Sequence, residues 1–247
     1  MSLNAIALIR RHPIWRDASD NAVRALAQHI HVVPLAAGDA ILTGGEPARS
    51  IHLLVEGACR VFYPATERSA EITVKLFGAP AAFGDAESIM RTRWAETVEA
   101  LTPGTVLICD ATVYFDIMQR EPRVCFRQYW DVARRFGIAI HTERAANTAS
   151  LVEQVVAIVL AYARQFGKPT ARGLLIAHSL THDDLARQSG SNKRSVVRAL
   201  TELFASGALE RSGRSFLVPS IEKLLAAASV PVPEVAFQSA EKPWAER

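Results

Sequence analysis

Lys193, Arg194 and Arg198 are three cations in a stretch, Ser191 to Leu200, that contains no acid. Lysine and arginine side chains only donate hydrogen bonds, and phosphate oxygens and the O6/N7 edge of guanine only accept them. The spacing adds to the chemistry. Val196, Ala199, Leu200 and Leu203 recur at intervals of three and four, the stripe of a helix that packs on one side, and the three cations lie off that stripe. The segment before it has the marks of another helix. Thr181 is a good N-cap, Asp184 three residues on resembles a capping box with Asp for the usual Glu or Gln, and Leu185 and Ala186 can face a core. Gly190 supplies a turn because positive φ costs glycine little, and Ser191 or Asn192 can cap the basic helix. Helix, turn and basic helix in this order fit a DNA groove, with Thr181, Ser191, Asn192 and Ser195 as further polar contacts.

Two short amphipathic helices joined at a glycine occur in many proteins, and a charged helix face is often simply solvated. The downstream sequence tips the balance. Thr201 to Gly207 finishes the helix, and Ala208-Leu209-Glu210-Arg211, Ser212-Gly213-Arg214 and Ser215-Phe216-Leu217-Val218-Pro219 read as strand, tight turn and strand. A helix-turn-helix followed by a two-stranded ribbon is a winged helix. Arg211 and Arg214 sit near the wing tip, where DNA phosphates would lie.

Other chemistry is harder to find. His29 and His31 are two apart, but the Glu and third His of a cupin-type metal site are not evident, and two partly exposed histidines are the simpler reading. Cys59, Cys109 and Cys125 are far apart with no Cys-x-x-Cys pair, which favours buried thiols in a reducing compartment and disfavours a disulfide or an iron–sulfur cluster. No Ser-His-Asp or Cys-His arrangement and no phosphate loop can be argued. Glu96 and Glu99 read as polar positions of a strand. An enzyme is not expected.

The basic helix needs a scaffold, and the chain is long enough to supply one. At 247 residues with 49% hydrophobic and 21% charged content, it can bury two cores. A net charge of +3 permits nucleic-acid binding without demanding it, so the placement of the cations matters more than their number. No signal-type N-terminus or long apolar run is present, which predicts a cytoplasmic protein with no membrane association. Residues 2–30 read as two helices broken at His12-Pro13. From Val32 onward, glycines punctuate the short apolar runs Ala40–Leu42, Ile51–Val55, Cys59–Tyr63, Ile72–Phe77 and Thr105–Cys109, the pattern of a β barrel or sandwich. Residues 111–119 read as a short helix. Glu121-Pro122 opens a long helix in which Tyr129, Ala133, Phe136, Ile140 and Glu143 form a coiled-coil seam. Ser150 caps a further helix with the stripe Leu151, Val155, Ile158, Val159, Tyr162, which Gly167-Lys168-Pro169 ends. Leu174–Ile176 reads as a short strand and 221–228 as a last helix. The fold class is α+β: a sensor domain over 1–119, a dimerisation helix over 120–149, a winged helix over 150–228, and a proline-containing, disordered tail over 229–247.

This order resembles the CRP/FNR superfamily of bacterial regulators, over roughly residues 8–228. The resemblance rests on Gly38-Asp39, Ile51 through Gly57, Phe83-Gly84-Asp85, and Thr181 through Leu200. It implies a cyclic-nucleotide-binding-like β-roll, a homodimer, an operator in double-stranded DNA and RNA polymerase as a partner. It also places the base-contacting positions on Lys193, Arg194 and Arg198. The middle one is commonly Glu in cyclic-AMP-responsive members, so Arg194 implies a different target. The effector pocket departs further. A Gly-Glu pair in the family becomes Gly84-Asp85. Aligning Val98-Glu99-Ala100 puts Trp94 where the phosphate-binding Arg belongs, Ala95 at the hydroxyl position and Glu96 at a small-residue position. Arg93 is adjacent and restores the cation under a one-residue shift. The base-contacting positions of the long helix correspond to Ala139 and Ile140. This pattern leaves cyclic AMP open as an effector but disfavours it, and neither a haem nor an iron–sulfur ligand pattern is visible.

The function these readings imply is a sequence-specific transcription regulator. Its sensor domain would set the spacing of two recognition helices to one DNA turn, ~34 Å. The alternative is a ligand-binding signalling module whose C-terminal domain contacts protein, and the basic face of the second helix argues against it.

Overall fold

The computed structural model describes residues 3–65, 71–148 and 150–228. The tail over 229–247, expected to be disordered, lies outside the described residues. The N-terminal helices are α1 (Leu3–Arg11) and α2 (Asp20–Ala27), the latter capped by the Ser19 hydroxyl. Then follow β1 (His31–Leu35), β2 (Ala40–Leu42), β3 (Ser50–Glu56), β4 (Ala58–Tyr63), β5 (Ile72–Gly78) and β6 (Ala81–Phe83). A short α3 (Asp85–Ile89), β7 (Thr97–Ala100), β8 (Gly104–Asp110) and α4 (Ala111–Met118) complete the N-terminal part. The strands form two antiparallel sheets, β1-β8-β3-β6 and β2-β7-β4-β5.

Side-chain alternation explains the two layers. On β3, Ile51 and Leu53 point to a core shared with Ile9, Trp15, Val23, Leu26 and Tyr114 from the helices. Leu54 points instead to the interior of the roll, with Leu35, Leu42, Phe83, Val98 and Val106. Cys59 and Cys109 are both buried, and burial pushes each thiol up to about 12, so neither is a thiolate at neutral pH. His29 and His31 are both exposed.

The long helix, α5, runs Pro122–Thr148. Packing divides the chain into two compact units, and one boundary falls between Phe136 and Gly137, inside this helix. The sequence alone suggests a separate segment over the whole helix, but the first half of α5 packs on the roll. That half has two unlike faces. Val124 and Gln128 are buried, while Phe126, Tyr129, Val132 and Phe136 are exposed, Tyr129 by 70% and Phe136 by 66%.

The second unit contains α6 (Leu151–Phe166), β9 (Gly167–Thr170), β10 (Gly173–Ile176), α7 (His182–Ser189), α8 (Lys193–Ala205), β11 (Glu210–Ser212), β12 (Ser215–Val218) and α9 (Ile221–Ala226). Ser150 and Glu153 form a full capping box at the start of α6. The strands order as β11-β12-β10-β9. Gly167-Lys168-Pro169 not only ends α6, as expected, but also begins an edge strand against β10. Pro169 has no N–H to donate, and an edge is where a strand tolerates that. Val155, Val159, Leu185, Val196, Leu200, Leu203 and Phe216 share one core under α6, α7, α8 and the β12 strand.

Candidate nucleic-acid interface and sensor site

The helix-turn-helix is built by local bonds that the sequence specifies. The Thr181 hydroxyl accepts from the Asp184 backbone N–H at 3.1 Å, and Asp184 Oδ2 accepts from the Thr181 N–H at 2.8 Å, so the shortened acid does close a capping box. Gly190 adopts φ 61°, the left-handed turn, and a side chain there would be strained although the space is open. Asn192, not Ser191, caps α8: its Oδ1 accepts from the Ser195 N–H at 2.9 Å. Ser191 instead closes the turn, its N–H donating to the Ala186 carbonyl at 3.0 Å.

Burial of Val196, Ala199, Leu200 and Leu203 fixes the roll of α8 about its axis and turns Lys193, Arg194 and Arg198 outward, all three exposed. Lys193 Nζ contacts Asp183 Oδ2 at 3.0 Å, an exposed pair that solvent weakens. The wing closes with Gly213 and Arg214 at its tip, between the paired residues Ser212 and Ser215. Arg211 and Arg214 are exposed. Arg211 Nη2 lies 3.1 Å from His182 Nε2, which joins the wing to the first turn of α7. The sequence does not single out His182, because nothing local marks a histidine that meets a strand 29 residues away.

In the roll, Gly84 precedes α3 at φ 79°, and a Cβ there would come within 2.9 Å of His52 Nδ1 and of the Ser50 carbonyl. Asp85 follows it, 3% exposed. Its Oδ2 accepts from Gln128 Nε2 at 2.6 Å and also from the Arg135 guanidinium. The Arg135 Nε donates to Asp131 at 2.9 Å. The bonds continue outward from Gln128, whose Oε1 accepts from the Tyr114 hydroxyl at 2.9 Å. That hydroxyl in turn accepts from Trp15 Nε1 at 2.9 Å. Gln128 and Arg135 escape a reading of the sequence because their partner is 43 and 50 residues away.

Phe83 stacks on His52 with centroids 5.0 Å apart, and Trp94 meets the His52 edge at 5.9 Å. Burial lowers His52 to about 4, so its ring is neutral at neutral pH. Trp94 is partly buried against the roll core, and its indole nitrogen is buried without a hydrogen-bond partner among the described residues. Arg93 is exposed and donates to the Gly45 carbonyl at 2.6 Å. Ala95 is exposed, and Glu96 accepts from the Tyr63 hydroxyl at 3.3 Å. Glu99 pairs with Arg60 across the sheet at 3.1 Å, in keeping with a strand's polar position. Ala139 is exposed, and the side chain of Ile140 lies outside the described residues. On the seam, Tyr129, Ala133 and Phe136 are exposed, while Ile140 and Glu143 fall outside the described side chains.

Comparison with known proteins agrees with both halves of the fold. Residues 32–121 match the family of cyclic nucleotide-binding domains. The chain is 20% identical over 217 residues to a CRP-like cAMP-activated global transcriptional regulator of Mycobacterium tuberculosis, covering 88% of this chain and 96% of that protein. It is 27% identical over 173 residues to the global nitrogen regulator of Synechococcus elongatus, covering 67% and 75%. Among solved structures it resembles a CRP-family transcriptional regulator of Thermus thermophilus, with a TM-score of 0.65 and 21% identity over 80% of this chain and 97% of that one. It also resembles the c-di-GMP-responsive global regulator of Xanthomonas campestris, with a TM-score of 0.68 and 14% identity over 82% and 100%. The chain thus carries a cyclic nucleotide-binding domain over residues 32–121, and over about four fifths of its length it shares the fold of a CRP-family transcriptional regulator.

Proposed function

We propose that this protein is a sequence-specific, DNA-binding transcription regulator that acts as a homodimer in the cytoplasm. The observation that carries the reading is the outward face of α8. Its buried stripe leaves Lys193, Arg194 and Arg198 exposed together, with Arg211 and Arg214 exposed on the wing. A helix with such a face enters the major groove, its cations reach guanine edges, and the wing meets phosphates. The relatives that carry the name of transcriptional or nitrogen regulators support the same role. Regulation of transcription implies contact with RNA polymerase. No helix among the described residues is long and apolar enough to cross a membrane.

The dimer reading rests on α5. Phe126, Tyr129, Val132 and Phe136 expose a run of apolar side chains on a helix whose other face is held by polar groups of its own roll. Such a face calls for a partner, and an α5 from a second copy is the simplest fit. In this reading a change in the roll shifts the two α5 helices and so the spacing of the recognition helices. The roll is read as a sensor that does not take cyclic AMP, because the guanidinium beside Trp94, that of Arg93, is exposed and bonded to the Gly45 carbonyl.

A gel shift against genomic fragments, with a salt titration, tests the DNA reading. Affinity should fall steeply with salt as counterions are released. Binding that ignores salt would instead favour protein contacts.

A further inference from the structure

Resting on the DNA-binding reading, we propose that His182 is part of the DNA-contacting surface and that its contact forms with uptake of a proton, so that operator affinity rises as pH falls. Three elements meet at this residue. His182 is the first residue of α7, Arg211 comes from β11 of the wing, and Lys193 opens the recognition helix α8. The Arg211 guanidinium has donors only, so at 3.1 Å the facing His182 Nε2 must supply a lone pair. The imidazole is therefore neutral, with its proton on Nδ1. The charged groups facing it are Arg211 and Lys193, both cations, and Asp183 beside it in α7, which Lys193 already engages at 3.0 Å.

The free protein thus holds His182 below its ordinary titration range. Partial burial lowers it first, Arg211 and Lys193 lower it further, and Asp183 opposes them. A DNA phosphate docked against Arg211 and Lys193 reverses the local balance. It adds negative charge, draws the guanidinium away from Nε2, and leaves that nitrogen free to take a proton and donate to a phosphate oxygen. The bound form then titrates at higher pH than the free form, and a proton from solvent is taken up in the interval between them. By linkage, affinity rises as pH falls through the bound value and levels off below the free value. The limit is about tenfold per pH unit for each histidine engaged. The same residue ties the wing to α7 in the absence of DNA, so the contact exchanges an internal hydrogen bond for one to the ligand.

The test uses the full-length protein and an operator fragment selected from genomic DNA, with anisotropy measured from about pH 8 to 5.5, the range that brackets histidine titration, at constant ionic strength. Wild type should tighten several-fold on acidification. His182→Gln can still accept from Arg211 but cannot titrate, so its profile should be flatter than wild type by that amount. Parallel profiles for the two proteins overturn the proposal. A second measurement stands apart from DNA. In the proton NMR spectrum of the free protein, the resonance missing in His182→Gln should titrate below the ordinary histidine range and move up in Arg211→Ala. An ordinary value that ignores Arg211→Ala overturns the pairing itself. Absence of salt-dependent binding to any fragment at any pH, with the NMR result as expected, overturns the DNA reading and the proton-linked contact but leaves the pair intact.

Discussion

Gln128 Nε2 donates to Asp85 Oδ2 over 2.6 Å, and this bond ties the long helix to the acid at the head of α3. The carboxylate is 3% exposed and also accepts from Arg135, so its charge is met by one cation and one amide. A buried acid in this setting is costly to abandon.

Arg135→Met should therefore destabilise the roll by about 3–5 kcal/mol, because Asp85 stays buried without its counter-ion. Adding Asp85→Asn should recover part of the loss, since an amide needs no cation. Urea unfolding of the single and double variants measures both quantities. A single variant as stable as wild type would mean that the ion pair is dispensable.

The elements are legible where the sequence signal is local, and less so where it is not. The capping residues Thr181, Asn192 and Ser150, the turn at Gly190 and the wing turn are all readable, because each is specified by close neighbours in the chain. The β1 strand is hard to see as a run since Pro34 interrupts it, and β6 since its residues, Ala81–Phe83, are too few to carry periodicity. The polar chain from Trp15 through Tyr114 and Gln128 to Asp85 is invisible for a different reason. It joins residues whose proximity exists only once the N-terminal helices, α4 and α5 have packed. The effector region shows the same limit. Alignment brings Arg93 and Trp94 to the right strand entry, but only the fold shows the guanidinium outside on the Gly45 carbonyl and the indole against His52.

Arg198→Ala should weaken binding to the preferred operator by about 1–3 kcal/mol and relax base choice at one position in each half-site, as loss of a guanine contact does. Arg214→Ala at the wing tip should weaken all sequences alike and lower the salt slope. Binding-site selection on random fragments separates the two. Unchanged base preference in Arg198→Ala would remove it as a base reader.

Phe136→Glu puts a charge at the C-terminal end of the exposed apolar run of α5, where Phe136 is 66% exposed in the single chain. Paired helices would bring two such carboxylates together, so light scattering should show monomers and operator binding should fail. A variant that stays dimeric would mean that the copies meet through another surface.

His12 and His52 are buried, and burial lowers each to about 4. In the unfolded chain both return to about 6.5. Between these values the unfolded state binds more protons, so stability is full above about pH 6.5 and falls as pH drops toward about 4. The loss is on the order of 3 kcal/mol for each ring at the acid end. Melting curves from about pH 7.5 to 4.5, a span that crosses this window, should show the slope. His52→Phe, which keeps an aromatic ring beside Phe83, should flatten it by about half, since one of two such rings is removed.

Cyclic AMP and cyclic GMP should not bind at micromolar concentration. A cyclic phosphate in a dry pocket needs a guanidinium, whose paired donors match two phosphate oxygens. At the strand entry the guanidinium nearest in sequence is that of Arg93, exposed and donating outward to the Gly45 carbonyl at 2.6 Å. Trp94 takes the inward place, and its indole offers one N–H. Ala95 supplies no hydroxyl, and Glu96 adds negative charge on the same segment. Asp85 Oδ2 is already engaged by Gln128 and Arg135, which leaves its buried Oδ1 as the oxygen open to a ribose hydroxyl. His52, Phe83 and Trp94 form a cluster of neutral aromatic rings, better matched to a neutral ligand or to none. Isothermal calorimetry with both nucleotides decides the matter. Micromolar binding of either would mean that Arg93 leaves Gly45 and turns into the roll, and Arg93→Ala should then abolish it.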